Sequence, residues 1–124
     1  MEIWINPQCS KCRSAKAALD DAGIEYVERR YLEQPPTAQE LVDVLDRLNM
    51  EPWEITRTSE QIAKDLGLKD WPREAADRDR WIEALIENPK LIQRPIITAS
   101  DATTRVARDD DSLQAVISAE TTRS

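Results

Sequence analysis

The apolar triplet Ile3-Trp4-Ile5 stops at Asn6-Pro7, and a helical pattern begins almost at once; this opening constrains the fold more than any other stretch. Consecutive apolar residues suit a short buried strand, and Asn-Pro favours a turn. From Ser10 onward, Ala15, Ala18, Leu19 and Ala22 recur at i, i+3, i+4 and i+7, so they share one helix face, and Gly23 stands beyond them as a stop. Tyr26-Val27 then predicts a second strand. A short crossover helix between two strands makes them parallel neighbours in one sheet.

A helical block follows. Thr37 and Glu40 have capping-box spacing behind Pro35-Pro36, Leu41, Leu45 and Leu48 continue as a stripe, and Asn49 is a plausible stop. Ser59 is placed to cap a short helix with Ile62, Ala63 and Leu66 before Gly67, and a longer helix carries Ile82, Leu85 and Ile86 before Asn88-Pro89. Pro95-Ile96-Ile97-Thr98 reads as a strand, Ser100-Asp101 as a turn, Thr103 to Ala107 as an antiparallel partner, and Leu113, Val116 and Ile117 as a closing helix. The order predicts an α/β chain with a mixed four-stranded sheet and an inserted helical block over about 37–90. At 124 residues one domain, 1–124, is the expectation, with a polar tail from Ser118 to Ser124 that frays.

The charge balance excludes some functions. With 17 basic against 24 acidic residues, the net charge of -7 argues against direct nucleic-acid contact. No apolar run approaches the ~20 residues that span a bilayer, and Met1 leads into a strand without a signal-peptide pattern, so the expectation is a cytoplasmic protein without membrane association. A monomer is expected. Trp4, Trp53, Trp71 and Trp81 are scattered among elements and the chain has no Phe, so they read as core residues rather than a stacking surface. The run Asp109-Asp110-Asp111 reads as a solvated helix start that the helix dipole stabilises.

The cytoplasmic expectation gives the two cysteines their meaning, because a close pair in a reducing compartment is more often catalytic or metal-binding than a structural disulfide. Cys9-Ser10-Lys11-Cys12 is a C-x-x-C at the junction of the first strand and first helix. There the orphan backbone N–H groups and the positive helix end favour a Cys9 thiolate, with Lys11 and Arg13 adding positive charge. Such surroundings lower a cysteine pKa from ~8.5 into the range of about 3.5 to 7.5, so the absence of histidine is no obstacle. Cys12, one turn on, is placed to resolve an adduct on Cys9, or is simply a small residue that packs. Two cysteines without histidine cannot complete a zinc site in one chain; sharing a zinc with a second chain is the remaining metal reading, and no metal is expected.

At Asn6-Pro7-Gln8-Cys9 the sequence resembles the glutaredoxin-coupled arsenate reductase family, which includes the Spx-type regulators. Tyr31-Leu32-Glu33-Gln34-Pro35-Pro36-Thr37 is similar to that family's segment before its inserted helices, and Leu91-Ile92-Gln93-Arg94-Pro95-Ile96 to its return to the sheet. The resemblance runs from Ile3 to about Ile117 and implies a thioredoxin-like fold. It also implies three arginines that bind an oxyanion, at Arg57, Arg94 and Arg108, with Arg105 the competitor for the third place. Arginine suits that task because its charged fork holds two oxygens of an anion beside a thiolate that would otherwise repel it. Pro95 matches the proline that is cis beside the active cysteine of thioredoxin-like folds. Ser10 and Arg13, flanking the cysteines, complete the substrate-binding set.

The resemblance implies an arsenate reductase-like thiol oxidoreductase with no bound cofactor. Arsenate or a similar oxyanion is the substrate, and glutaredoxin with glutathione, thioredoxin or a similar thiol is the external reductant. Cys12 departs from the reductase pattern, where a non-cysteine residue is usual, and matches Spx-type proteins, where C-x-x-C is a redox switch. Two other functions therefore stand beside the first: an Spx-type transcription regulator docking on RNA polymerase, and a general thiol-disulfide reductase.

Overall fold

The computed structural model describes residues 1–121. The chain forms two compact units, one from Met1–Gln34 together with the chain from Arg94 onward, the other from Pro35–Gln93. The second unit takes in the helical block expected over about 37–90 and a few residues on either side.

In the first unit, β1 (Glu2–Ile5), α1 (Ser10–Asp21) and β2 (Val27–Arg30) follow one another, and β1 pairs in parallel with β2, Ile3 facing Glu28 and Ile5 facing Arg30. Strand β3 (Ile96–Thr98) runs antiparallel along the other side of β1, and β4 (Thr104–Val106) is antiparallel to β3. The sheet order is β2-β1-β3-β4, the mixed four-stranded sheet of a thioredoxin-like fold. Helix α5 (Asp110–Thr121) completes the unit.

Ile3, Ile5 and Ile97 of the sheet pack with Cys12, Ala15 and Leu19 of α1 and Val116 of α5 in one buried cluster. Burying each large aliphatic side chain stabilises by about 1.5–3 kcal/mol, which fixes α1 and α5 on the sheet. The buried face of α1 is therefore Cys12-Ala15-Leu19, not the expected one ending in Ala22; Ala22 is the exposed C-cap, and Gly23 follows at φ 70°, where a side chain would be strained. Strand β2 begins at Val27 and continues through Glu28, Arg29 and Arg30, because an edge strand open to water does not require apolar residues.

Asp109 receives the Ser112 backbone N–H at 2.7 Å, and Asp110 and Asp111 occupy the first turn of α5, as the acidic run predicts. Residues 118–121, expected to fray, are instead the last turn of this helix, with the Thr121 hydroxyl donating to the Ile117 carbonyl at 2.9 Å. The rest of the expected tail, 122–124, lies outside the described residues.

The second unit is helical. In α2 (Ala38–Leu48) the Glu40 N–H donates to Thr37 Oγ1 at 3.1 Å and the Thr37 N–H to Glu40 Oε1 at 2.9 Å, the reciprocal cap the sequence predicts, and Asn49 ends the helix at φ 56°. Helix α3 (Gln61–Leu66) is preceded by Glu60 as N-cap, so Ser59 stands one residue too early to serve. In α4 (Arg78–Glu87) Trp81 is fully buried, donates its indole N–H to the Pro72 carbonyl at 2.9 Å, and meets Trp53 and Trp71 edge-on at 6.1 and 5.4 Å. Trp81 here and Trp4 of β1 are thus core residues as expected, whereas Trp53 and Trp71 are half-buried and pack around Trp81. Among the described residues no helix is long and apolar enough to cross a membrane.

Candidate active site

A short turn sets the position of Cys9. Asn6 accepts the Gln8 N–H on Oδ1 at 3.0 Å and the Cys9 N–H on its carbonyl at 2.9 Å, folding the chain back at the end of β1. Cys9 is then the N-cap of α1, with extended backbone (φ −85°, ψ 126°), and its carbonyl accepts the Arg13 N–H at 3.1 Å. The first amides of a helix have no intrahelical partner and surround the N-cap side chain with positive potential.

Partial burial acts to raise the Cys9 pKa, but the Cys12 amide, the Arg94 guanidinium, the Cys12 thiol and the Lys11 amide together outweigh it and hold the group lowered from 9.0 to about 7. The amides act electrostatically, since the sulfur makes no well-formed cap hydrogen bond. Half-buried Cys9 is therefore substantially a thiolate near neutrality.

Cys12, one turn on, is fully buried in the cluster beneath the sheet. Burial pushes its thiol up to about 11; the backbone of Asn6 opposes the rise, and the neighbouring Cys9 charge adds to it. Two sulfurs three residues apart thus carry opposite characters, one half-buried with a lowered pKa and the other fully buried with a raised one.

Arg94 precedes a cis peptide bond to Pro95, the isomer that the resemblance implies. Its side chain is 7% exposed, its Nη1 donates to the Tyr31 hydroxyl at 3.4 Å, and its guanidinium faces the Cys9 sulfur. Arg108 donates from Nη1 to the Arg94 carbonyl at 2.7 Å, so the two arginines meet at the Arg94–Pro95 peptide. Arg105 lies exposed on β4 and turns its guanidinium onto the Thr104 carbonyl at 2.9 Å. Of the two competitors, Arg108 is the one in contact with Arg94.

Ser10, Lys11 and Arg13 sit exposed in the first turn of α1. Arg57 belongs to the helical unit, where its guanidinium pairs with Glu60 at 3.2 Å and its amide donates to the Leu91 carbonyl at 2.7 Å. The structure thus brings Cys9, Cys12, Arg94, Pro95 and Arg108 together within the sheet unit. The turn at Asn6 is expected from Asn6-Pro7, although the part its side-chain oxygen plays in it is not, whereas the Tyr31 contact with Arg94 spans 63 positions and no local pattern encodes it. Among the described residues no group of three or more His, Cys, Asp or Glu side chains is set to hold a metal ion.

Comparison with known proteins shows the family. The ArsC family model matches residues 4–116. A Streptomyces viridochromogenes protein named for the glnII region is 59% identical over 95% of this chain and 99% of its own length. An arsenate reductase from Vibrio cholerae has a structure that superposes with a TM-score of 0.83 at 32% identity, covering 94% of this chain and 98% of that one. The regulatory protein MgsR of Bacillus subtilis is 36% identical over 78% of this chain and 75% of its own length. A thioredoxin-like sheet, a cysteine at the first helix N-terminus and a family match spanning both units lead to one assignment: the chain belongs to the ArsC family.

Proposed function

We propose that the protein is an arsenate reductase-like thiol oxidoreductase whose nucleophile is Cys9. The observation that carries this reading is the Cys9 sulfur at the α1 N-terminus facing Arg94, with its pKa held near 7. Arg94 and Arg108 neutralise an incoming oxyanion, and five N–H donors per guanidinium leave Arg108 able to bind an oxygen while it holds the Arg94 carbonyl. Arg57, Ser10 and Arg13 complete the binding set on the strength of the resemblance.

In the first step the Cys9 thiolate attacks arsenic, a sulfur–arsenic bond forms, and one oxygen leaves as water after taking up protons. In the second, another thiol attacks the Cys9 sulfur. The sulfur–arsenic bond breaks with its electron pair remaining on arsenic, which is reduced from the +5 to the +3 state and released as arsenite, while the two thiols become a disulfide. Cys12 is one source of that thiol. Adduct formation removes the Cys9 charge, one of the causes that keep the Cys12 thiol protonated, although burial still opposes ionisation. Glutathione, glutaredoxin or a thioredoxin-type protein is the other source, and restores the dithiol in a reducing cytoplasm.

Purified protein supplied with glutaredoxin and glutathione or with thioredoxin, the matching reductase and NADPH should consume NADPH when arsenate is added. Absence of any arsenate dependence with either system would overturn the reading. A second reading, a redox-switched regulator that binds RNA polymerase, is favoured by the adjacent Cys9 and Cys12 and by the MgsR likeness. Its test is capture of the polymerase alpha subunit by reduced and by oxidised protein. A general thiol-disulfide reductase would instead reduce insulin without any oxyanion.

A further inference from the structure

The helical unit carries an apolar groove of about 400 Å³ between α2 and α4. Its apolar lining is Ala38 and Val42, one turn apart on α2, and Ile82 and Ile86, one turn apart on α4. Asp79, Glu83 and Glu87 follow one another on α4 at intervals of four residues and line the same groove, and no lysine or arginine does. Four residues of helix rise about 6 Å, so the carboxylates form a row about 12 Å long beside the apolar stripe.

None of the three carboxylates makes a hydrogen bond or ion pair among the described residues. Like charges one turn apart oppose the helix that carries them. The cations of α4 are engaged elsewhere: Arg78 pairs with Glu51 at 3.1 Å, and Arg80 stacks over Trp71 at 3.8 Å. Arg80 also borders Glu83 and Glu87 on the side of Trp71 but forms no ion pair with either, so no cation of this helix is paired with the row. A partner that supplies apolar side chains and positive charges at the same one-turn interval would fill the groove and relieve the repulsion together.

We propose that this groove docks an amphipathic basic helix of another protein, one with an apolar stripe flanked by lysines or arginines at i, i+4 and i+8. Helix-in-groove recognition places apolar anchors one turn apart, and a facing row of opposite charge sets register and hastens encounter. None of the groove residues belongs to the candidate thiol site, so the proposal stands or falls independently of arsenate reduction.

The probe is a fluorescein-labelled synthetic helix with leucines at i, i+4 and i+7 beside lysines at i+1, i+5 and i+9, titrated with the protein and followed by anisotropy. Saturable binding is expected, weakened at least tenfold by Glu83→Lys and by Val42→Glu and weakened progressively by added salt. Glu25→Lys, an equal charge change in the sheet unit, should leave binding unchanged, as should Cys9→Ser. Glu83 is exposed, so its variant keeps the fold if Val42→Glu does not. Equal binding of a scrambled peptide of the same composition, equal weakening by Glu25→Lys, or no binding at all would overturn the proposal. So would a protein that sediments as a dimer and becomes a monomer on Glu83→Lys, since a second copy would then be the occupant.

Discussion

In the sheet unit, polar side chains distant in sequence converge on Arg94, which in turn acts on Cys9: Tyr31 meets Arg94 across 63 positions, and Arg108 reaches back 14 positions to the Arg94 carbonyl. In the helical unit the bonds at helix ends are local, as Thr37 and Glu40 close a cap and Arg57 pairs with Glu60, and the long-range pair of Arg78 with Glu51 joins part-exposed side chains without reaching a cysteine. Local bonds of the second kind satisfy helix ends and set lengths, while those of the first kind shape an electrostatic environment that no helix or turn supplies alone. The long-range contacts of the sheet unit thus shape the surroundings of Cys9, and the local ones of the helical unit close its helix ends.

That separation is tested first by Cys9→Ser, which should abolish arsenate-dependent NADPH oxidation while leaving the urea unfolding midpoint nearly unchanged. Retained activity would move the nucleophile elsewhere. Next in size is Trp81→Ala in the helical unit, which should destabilise by about 3–5 kcal/mol in urea titrations because it empties a fully buried site. The Cys9 alkylation profile of the folded protein should not shift. A large shift would show that reactivity is not confined to the sheet unit.

A smaller effect is expected from Arg94→Ala. Iodoacetamide reacts with thiolate, so the rate of Cys9 modification should rise with pH about a midpoint near 7 in the parent protein and fall away below it. Arg94 lowers that pKa, so its removal should carry the midpoint upward, and arsenate turnover should lose activity at neutral pH. The smallest change tests the local side of the contrast: Thr37→Ala should cost ~1 kcal/mol of stability through the lost cap, while Ser59→Ala should stay within about 0.5 kcal/mol.

The same contrast governs what could be read in the sequence. Thr37, Glu40 and Asn49 were legible because a cap and a stop are written within a few residues, and Cys9 because the Asn6-Pro7 turn and the apolar period of α1 meet there. Periodicity misplaced the buried face of α1 by choosing Ala22, which lies past the helix end as an exposed C-cap, while packing is one of the two readings the sequence leaves open for Cys12. Strand β2 was seen only in part because an edge position relaxes the need for alternating apolar residues. Ser59 failed as a cap through a one-residue ambiguity that backbone geometry alone resolves. Arg108 could be separated from Arg105 only once the strand register placed one beside the Arg94 carbonyl and the other on exposed β4. Tyr31 had no local signature at all.

The burial of Cys12 beside a half-open Cys9 has a practical consequence. A bulky maleimide should count one sulfur in the reduced native chain and none once the two are joined, so a mass shift on a gel reports the oxidation state of the pair directly. No second cysteine needs to be engineered away for that reading, because the core itself hides it from the label.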